Sequence, residues 1–335
     1  MKKLYTLSLS ILTISLSLAQ ASDPFISSPG TALNTSGWST HSGTIPGQLV
    51  ITAGSLTYPG ITSQGNKTQI VAGNGEDVNL ASATVLTGVA YYSALISLPN
   101  TDGLAPNTDL IGNHFLMFGQ TAGGLGTVTG FNGRIYIRAG STAGTFNLGI
   151  LNGSGGTATP TWIATDYVAG TTYFVVVKFD FATNTASLWV NPAIGGTETA
   201  PNVTNATGTT AAPAQFASLI IRQAGTATSG TGNIEIDEIR LGATWAYVTS
   251  ATLRNNQNAI IGLRVYPNPV TNGTLFIETS ANADKKVAIF DVLGKKVLST
   301  STNDNAVNVG SLNAGVYIVK ITEEGKTASR KLVIR

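Results

Sequence analysis

Three carboxylates crowd one short stretch of the chain: Glu235, Asp237 and Glu238. In an extended strand, Glu235 and Asp237 project from one face, because successive side chains alternate. Two carboxyls about 5–5.5 Å apart could act as nucleophile and acid on a glycosidic bond. The next place on that face is Ile239, and Glu238 is expected on the other face, so the row stops at two. No catalytic residue is assigned. Asp237 is the best single candidate for a calcium ligand, and a structural calcium ion is the one cofactor considered; calcium needs about six to eight oxygens.

A second constellation suits recognition. In Arg134-Ile135-Tyr136-Ile137-Arg138 the isoleucines are expected to face a core, which turns Arg134, Tyr136 and Arg138 outward. Trp189 shares a face with Ser187 and Asn191, and Arg222 lies between Ile221 and Gln223. If these strands are neighbours, their polar faces form a patch of aromatic rings and guanidiniums. Aromatic planes stack on apolar sugar faces, and planar donors bind hydroxyl or carboxylate oxygens. The alternative is that Trp189 packs under a loop and the arginines only solubilise.

Other chemistry is missing. Gly153-Ser154-Gly155-Gly156 lacks the spacing of a serine nucleophile motif, and Gly123-Gly124-Leu125-Gly126 reads as a turn. The only two histidines, His41 and His114, lie far apart in no motif, and there is no cysteine. A multi-histidine metal centre, a thiolate zinc site and disulfides are therefore excluded.

The elements that must position these groups are strands. Of 335 residues, 38 are glycine and 46 threonine, both poor helix formers. Short apolar-alternating runs separated by Gly, Asn, Thr, Ser and Pro clusters fill residues 22–250 and suggest a sandwich or barrel. Thr172–Phe181 and Ala186–Asn191 form the strongest hairpin, and Gly195–Ala214 reads as a long surface loop. Charged residues are 11%, with a net charge of +2, which excludes electrostatic nucleic-acid binding.

Both ends read as addresses. Lys2 and Lys3 precede an apolar run from Leu4 to Leu18, followed by Ala19-Gln20-Ala21. This is the pattern of a secretory signal peptide over residues 1–21, cleaved after Ala21 or, alternatively, after Ala19. Residues 262–335 hold ten Lys/Arg against six Asp/Glu, whereas residues 22–261 hold seven against eleven. The polar segment 251–261 is expected to link two domains.

The last 74 residues contain Tyr266-Pro267-Asn268-Pro269, Ile289-Phe290-Asp291-Val292-Leu293-Gly294-Lys295, Leu312-Asn313-Ala314-Gly315-Val316-Tyr317 and Lys331-Leu332-Val333-Ile334, in that order. This segment resembles the C-terminal sorting domain of type IX secretion cargo. The resemblance implies a small antiparallel β-sandwich whose sorting signal includes Pro267, Asn268, Pro269, Asp291, Gly294, Gly315, Tyr317, Lys331, Leu332 and Val333. It implies inner-membrane secretion machinery and the type IX translocon as partners. It also implies cleavage of the tail, and release or attachment to surface lipopolysaccharide of a Gram-negative bacterium.

The passenger resembles a different group. Ser187-Leu188-Trp189-Val190-Asn191, Ile220-Ile221-Arg222 and Ile234-Glu235-Ile236-Asp237-Glu238-Ile239-Arg240 look like strands of the concanavalin-like, laminin-G-type jelly roll over residues 85–250, with 30–84 supplying the first strands. The resemblance implies a two-sheet sandwich. Retaining glycosidases of that fold carry two glutamates flanking an aspartate on one strand face, and here Ile239 breaks that row. The expectation is an all-β secreted or surface protein that binds a polysaccharide or glycan without catalysis. A structural matrix protein and a polysaccharide glycosidase or lyase are the alternatives.

Overall fold

The computed structural model describes residues 20–43, 47–251, 260, 263–279, 281–291, 294–324 and 326–335. The expected leader up to Ala19, linker residues 252–259, and turn residues Val292, Leu293 and Gly325 lie outside them. The chain divides into two compact units, 1–253 and 254–335.

The first unit is a two-sheet jelly-roll sandwich. One sheet runs Val203–Asn205, Thr185–Val190, Thr172–Asp180, Val89–Ser97, Ile234–Gly242, Lys67–Ile70 and Ile51–Thr52, with Gln20–Asp23 also paired to Ile234–Gly242. The second runs Thr161–Trp162, Thr145–Leu151, Phe131–Ala139, Asn113–Gly119, Phe216–Arg222, Asp77–Leu86 and Trp38–Ser42, with Tyr167–Val168 on Thr145–Leu151. Alternation sends Val175, Val177, Phe179, Ile236 and Leu241 from the first sheet, and Phe118, Ile135, Ile137, Leu148 and Ile221 from the second, into one shared core. The Tyr92 hydroxyl, fully buried there, donates to the Gly133 carbonyl at 2.7 Å.

The first sheet is covered on its outer face too. Tyr91, Leu95, Phe174, Val176 and Trp189 pack there under Leu56, Ile61, Trp245, Tyr247 and Val248. The segment expected to be a loop at 195–214 contributes to this sheet: Val203–Asn205 pairs with Thr185–Val190, placing Asn205 opposite Ala186. On the outer face of the second sheet, Met117, Val128 and Ile220 form a small apolar patch.

The second unit holds a three-stranded sheet, Arg264–Tyr266, Thr274–Glu278 and Ala306–Asn308, and a four-stranded one, Lys296–Thr302, Lys285–Phe290, Gly315–Glu323 and Lys326–Ile334. Leu275, Ile277, Val287, Ile289, Val319, Ile321 and Leu332 fill its own core.

Candidate functional site

The carboxylate stretch is structural in its contacts. A β-bulge lies between Asp237 and Arg240, with Glu238 in the left-handed region at φ 51°. Ile236 and Ile239 both enter the shared core. The two residues between them therefore meet a covering loop, which corrects the expectation that Glu238 takes the opposite face. Asp237 accepts hydrogen bonds from the amides of Leu56 at 2.8 Å and Glu238 at 2.7 Å. Glu238 accepts from the Gln64 amide at 2.8 Å, and Glu235 pairs with Lys67 at 2.7 Å. Burial pushes the Asp237 carboxyl up to about 8. Each of its two oxygens accepts one backbone N–H, which ties the bulge to the covering loop. No cluster of three metal-ligating side chains occurs among the described residues.

Trp189 is also corrected. It lies on the first sheet, not beside the arginines, and is 2% exposed. Its indole N–H donates to the Thr199 carbonyl at 2.9 Å, and its ring sits 5.0 Å from that of Trp245. The fold separates it from every other residue of the expected patch.

Those other residues do come together. Phe131–Ala139, Asn113–Gly119 and Phe216–Arg222 are consecutive in the second sheet, which brings Arg134, Tyr136, Arg138 and Arg222 onto its outer face. A cavity of about 420 Å³ opens on this face, lined by Arg134, Arg222, His41, His114, Asp77, Ser42, Met117, Val128, Phe131 and Ile220. Volumes of about 300–1,000 Å³ are usual for small-ligand sites. Met117, Val128 and Ile220 supply the apolar lining.

Each polar group is positioned by its neighbours. The Arg134 Nε–H donates to the Phe131 carbonyl at 2.8 Å, and Arg222 donates to the His114 carbonyl at 3.3 Å. Asp77 accepts from the Ser42 hydroxyl at 2.6 Å and the Gln223 amide at 3.0 Å. Burial raises its pKa, against the pull of Ser42 and Arg222. Asn79 clamps the loop at the rim, exchanging hydrogen bonds with the Gly123 backbone at 2.8 and 3.0 Å, and places its amide 3.3 Å from His41 Nδ1. The Asn79 amide also donates to the Ser39 carbonyl at 2.9 Å, so its two N–H groups are spent on backbone carbonyls. Burial holds His41 down to about 4. Burial, with Arg222 and Arg134 nearby, holds His114 well below the ordinary histidine value.

Tyr136 packs against the His114 ring at 5.0 Å. Arg138 lies 4.1 Å above the Trp162 ring and donates to the Asp109 carbonyl. Trp162 is the aromatic of this face that sequence reasoning missed. Gly149 makes room for it: a Cβ there would lie 2.9 Å from the indole. His41, His114 and Asp77 were missed as well, because only the sheet order joins them.

In the second unit, several residues of the expected sorting signal contact the terminal strand. Asn268 donates to the Lys331 carbonyl at 2.9 Å and accepts from the Val333 amide at 2.9 Å, between Pro267 and Pro269. Leu332 is buried in the core. The Asp291 carbonyl accepts from the Gly294 amide at 3.0 Å, with Gly294 at φ 82°. Gly315 pairs with Ile334, and the Tyr317 hydroxyl donates to the Asn313 carbonyl. Residues 264–335 match the family of secretion system C-terminal sorting domains.

The chain is type IX secretion cargo. Its sorting domain directs it to the cell exterior, free or on the surface, and the cargo it carries is a jelly-roll sandwich. It is 32% identical over 89 residues to the ulvan lyase NLR42 of Nonlabens ulvanivorans, covering 25% of this chain and 16% of that enzyme. It is 29% identical over 96 residues to an endo-acting ulvan lyase of Formosa agariphila, covering 27% and 18%. The matches thus span less than a fifth of either relative. Among solved structures, peanut lectin superposes with a TM-score of 0.35 at 12% identity, covering 68% of this chain and 97% of the lectin.

Proposed function

We propose that this cargo is a secreted or cell-surface glycan-binding or adhesion protein without catalytic activity, and that it binds on the outer face of the second sheet. The observation that carries this reading is the cavity of about 420 Å³ in which an apolar patch meets guanidinium and imidazole groups. Sugars present the complementary mixture of apolar ring faces and polar rims. The two partly matching relatives act on a polysaccharide, ulvan, which supports the same class of ligand here. After the tail is removed, the cargo is released or attached to surface lipopolysaccharide.

One observation favours an enzyme instead. His114 is kept unprotonated beside two arginines and a tyrosine, and a neutral imidazole can accept a proton. A single assay separates the readings. Purified protein is applied to immobilised ulvan, neutral glucans and acidic polysaccharides, and the eluates are examined for reducing ends and unsaturated products. Retention on at least one polysaccharide without product is expected. Product that disappears in His114→Gln would establish the enzyme, and no retention on any surface would overturn both readings.

A further inference from the structure

We infer that the cavity on the second sheet is an anion subsite that takes the acidic group of a sugar, a uronate carboxylate or a sulfate ester, between Arg134 and Arg222. This rests on the glycan-binding reading and specifies its ligand class.

The argument starts from charge. The first unit is poor in cations, yet two guanidiniums line one cavity. Among the described residues, ion pairs join Lys67 to Glu235, Lys178 to Glu198, Arg240 to Glu238 and Lys285 to Glu323. Neither Arg134 nor Arg222 has a carboxylate within that range. Each spends one N–H group on a backbone carbonyl, and a guanidinium has five. The remaining donors are available in a partly buried cleft, where their attraction for an anion is stronger than in water.

Asp77 is the one carboxylate lining the cavity, and its oxygens are already occupied by Ser42 and the Gln223 amide. Among the groups that line the cavity it offsets one of the two positive charges, and the buried Glu76 lies behind it. The histidines add no charge, because burial keeps both neutral. The planar forks of arginine match a carboxylate or sulfate oxygen pair, and the apolar patch of Met117 and Ile220 meets the ring that carries it.

The experiment compares full-chain protein on three immobilised probes: polygalacturonate (carboxylate), carrageenan (sulfate without uronate) and a neutral β-glucan. Arg134→Gln, Arg222→Gln and the charge-keeping Arg222→Lys are tested beside Lys67→Gln, which lies on the other sheet. One or both acidic probes should bind at least tenfold more tightly than the neutral one, and the preferred probe tells carboxylate from sulfate. Each Arg→Gln change should weaken acidic binding at least tenfold with neutral binding unchanged, while Arg222→Lys retains part of it and Lys67→Gln changes nothing. Melting midpoints confirm that the variants are folded; if Arg222→Gln does not fold, Arg222→Lys and loss of acidic binding in high salt carry the test. Equal binding of acidic and neutral probes, or variants that weaken both alike, would overturn the anion subsite and leave the glycan-binding reading standing. No binding to any probe would overturn both.

Discussion

His41 shows how a residue's setting decides its chemistry. In the unfolded chain an imidazole takes up a proton near pH 6.5, whereas in the fold burial delays this to about 4. Between those values the unfolded state binds more protons, so the contribution of His41 to stability is complete above about 6.5 and is lost as pH falls towards 4. Denaturant titrations between pH 7 and 4 should show stability falling with acidification, and His41→Asn should flatten part of that slope. An unchanged slope would place the buried, neutral imidazole elsewhere. Trp189 makes the complementary case: Trp189→Ala should cost about 3–5 kcal/mol of stability, read by chemical denaturation, with glycan binding unaltered. Alternation correctly set Trp189 opposite Leu188 and Val190. It did not say that a loop and one helical turn cover that face, since local pattern reports which side a residue takes and not what lies above it. For the same reason Arg134, Tyr136, Arg138 and Arg222 were legible as one outward set, while His41, His114 and Asp77 were not.

Among the elements, Gln20–Asp23 carries the clearest consequence. Gln20 pairs with Gly242 and Ala21 with Leu241, and the Tyr247 hydroxyl donates to the Ala21 carbonyl. Removing the leader after Ala21 would delete half of this strand, whereas removal after Ala19 keeps it whole. The mature protein should therefore begin at Gln20; an intact mass starting at Ser22 would contradict this. The strand escaped sequence reading because it overlaps the small-residue pattern of a cleavage site. The bulge at Asp237 and Glu238 escaped for another reason: strict alternation was assumed across Ile234–Gly242, and one extra residue between core positions Ile236 and Ile239 reverses the register. In the sorting domain, by contrast, two blocks legible in the sequence meet, Pro267-Asn268-Pro269 and Lys331-Leu332-Val333-Ile334. Asn268 bridges to both sides of Leu332, so Asn268→Ala should loosen the terminal strand. Faster proteolysis of the tail and accumulation in the periplasm are expected, and normal export with a protease-resistant tail would contradict that role.

At the scale of the whole molecule the division of labour is between an address and a cargo. The sorting domain accounts for where the protein goes, and its core is built from residues 260–335 alone. Deleting Lys331–Arg335 should strand the protein in the periplasm, because that segment supplies half of the clamp made with Asn268 and Val270. The cargo accounts for what is bound. A loop and one helical turn cover much of the first sheet's outer face, and the function proposed above puts recognition on the outer face of the second. Hydrogen–deuterium exchange of the full chain, with and without an oligogalacturonate or a carrageenan oligosaccharide, tests this most directly. The account predicts slowed exchange in Asn113–Gly119, Phe131–Ala139 and Phe216–Arg222, with Thr172–Asp180 and Ile234–Gly242 unchanged. Protection confined to the first sheet, or none at saturating oligosaccharide, would contradict it.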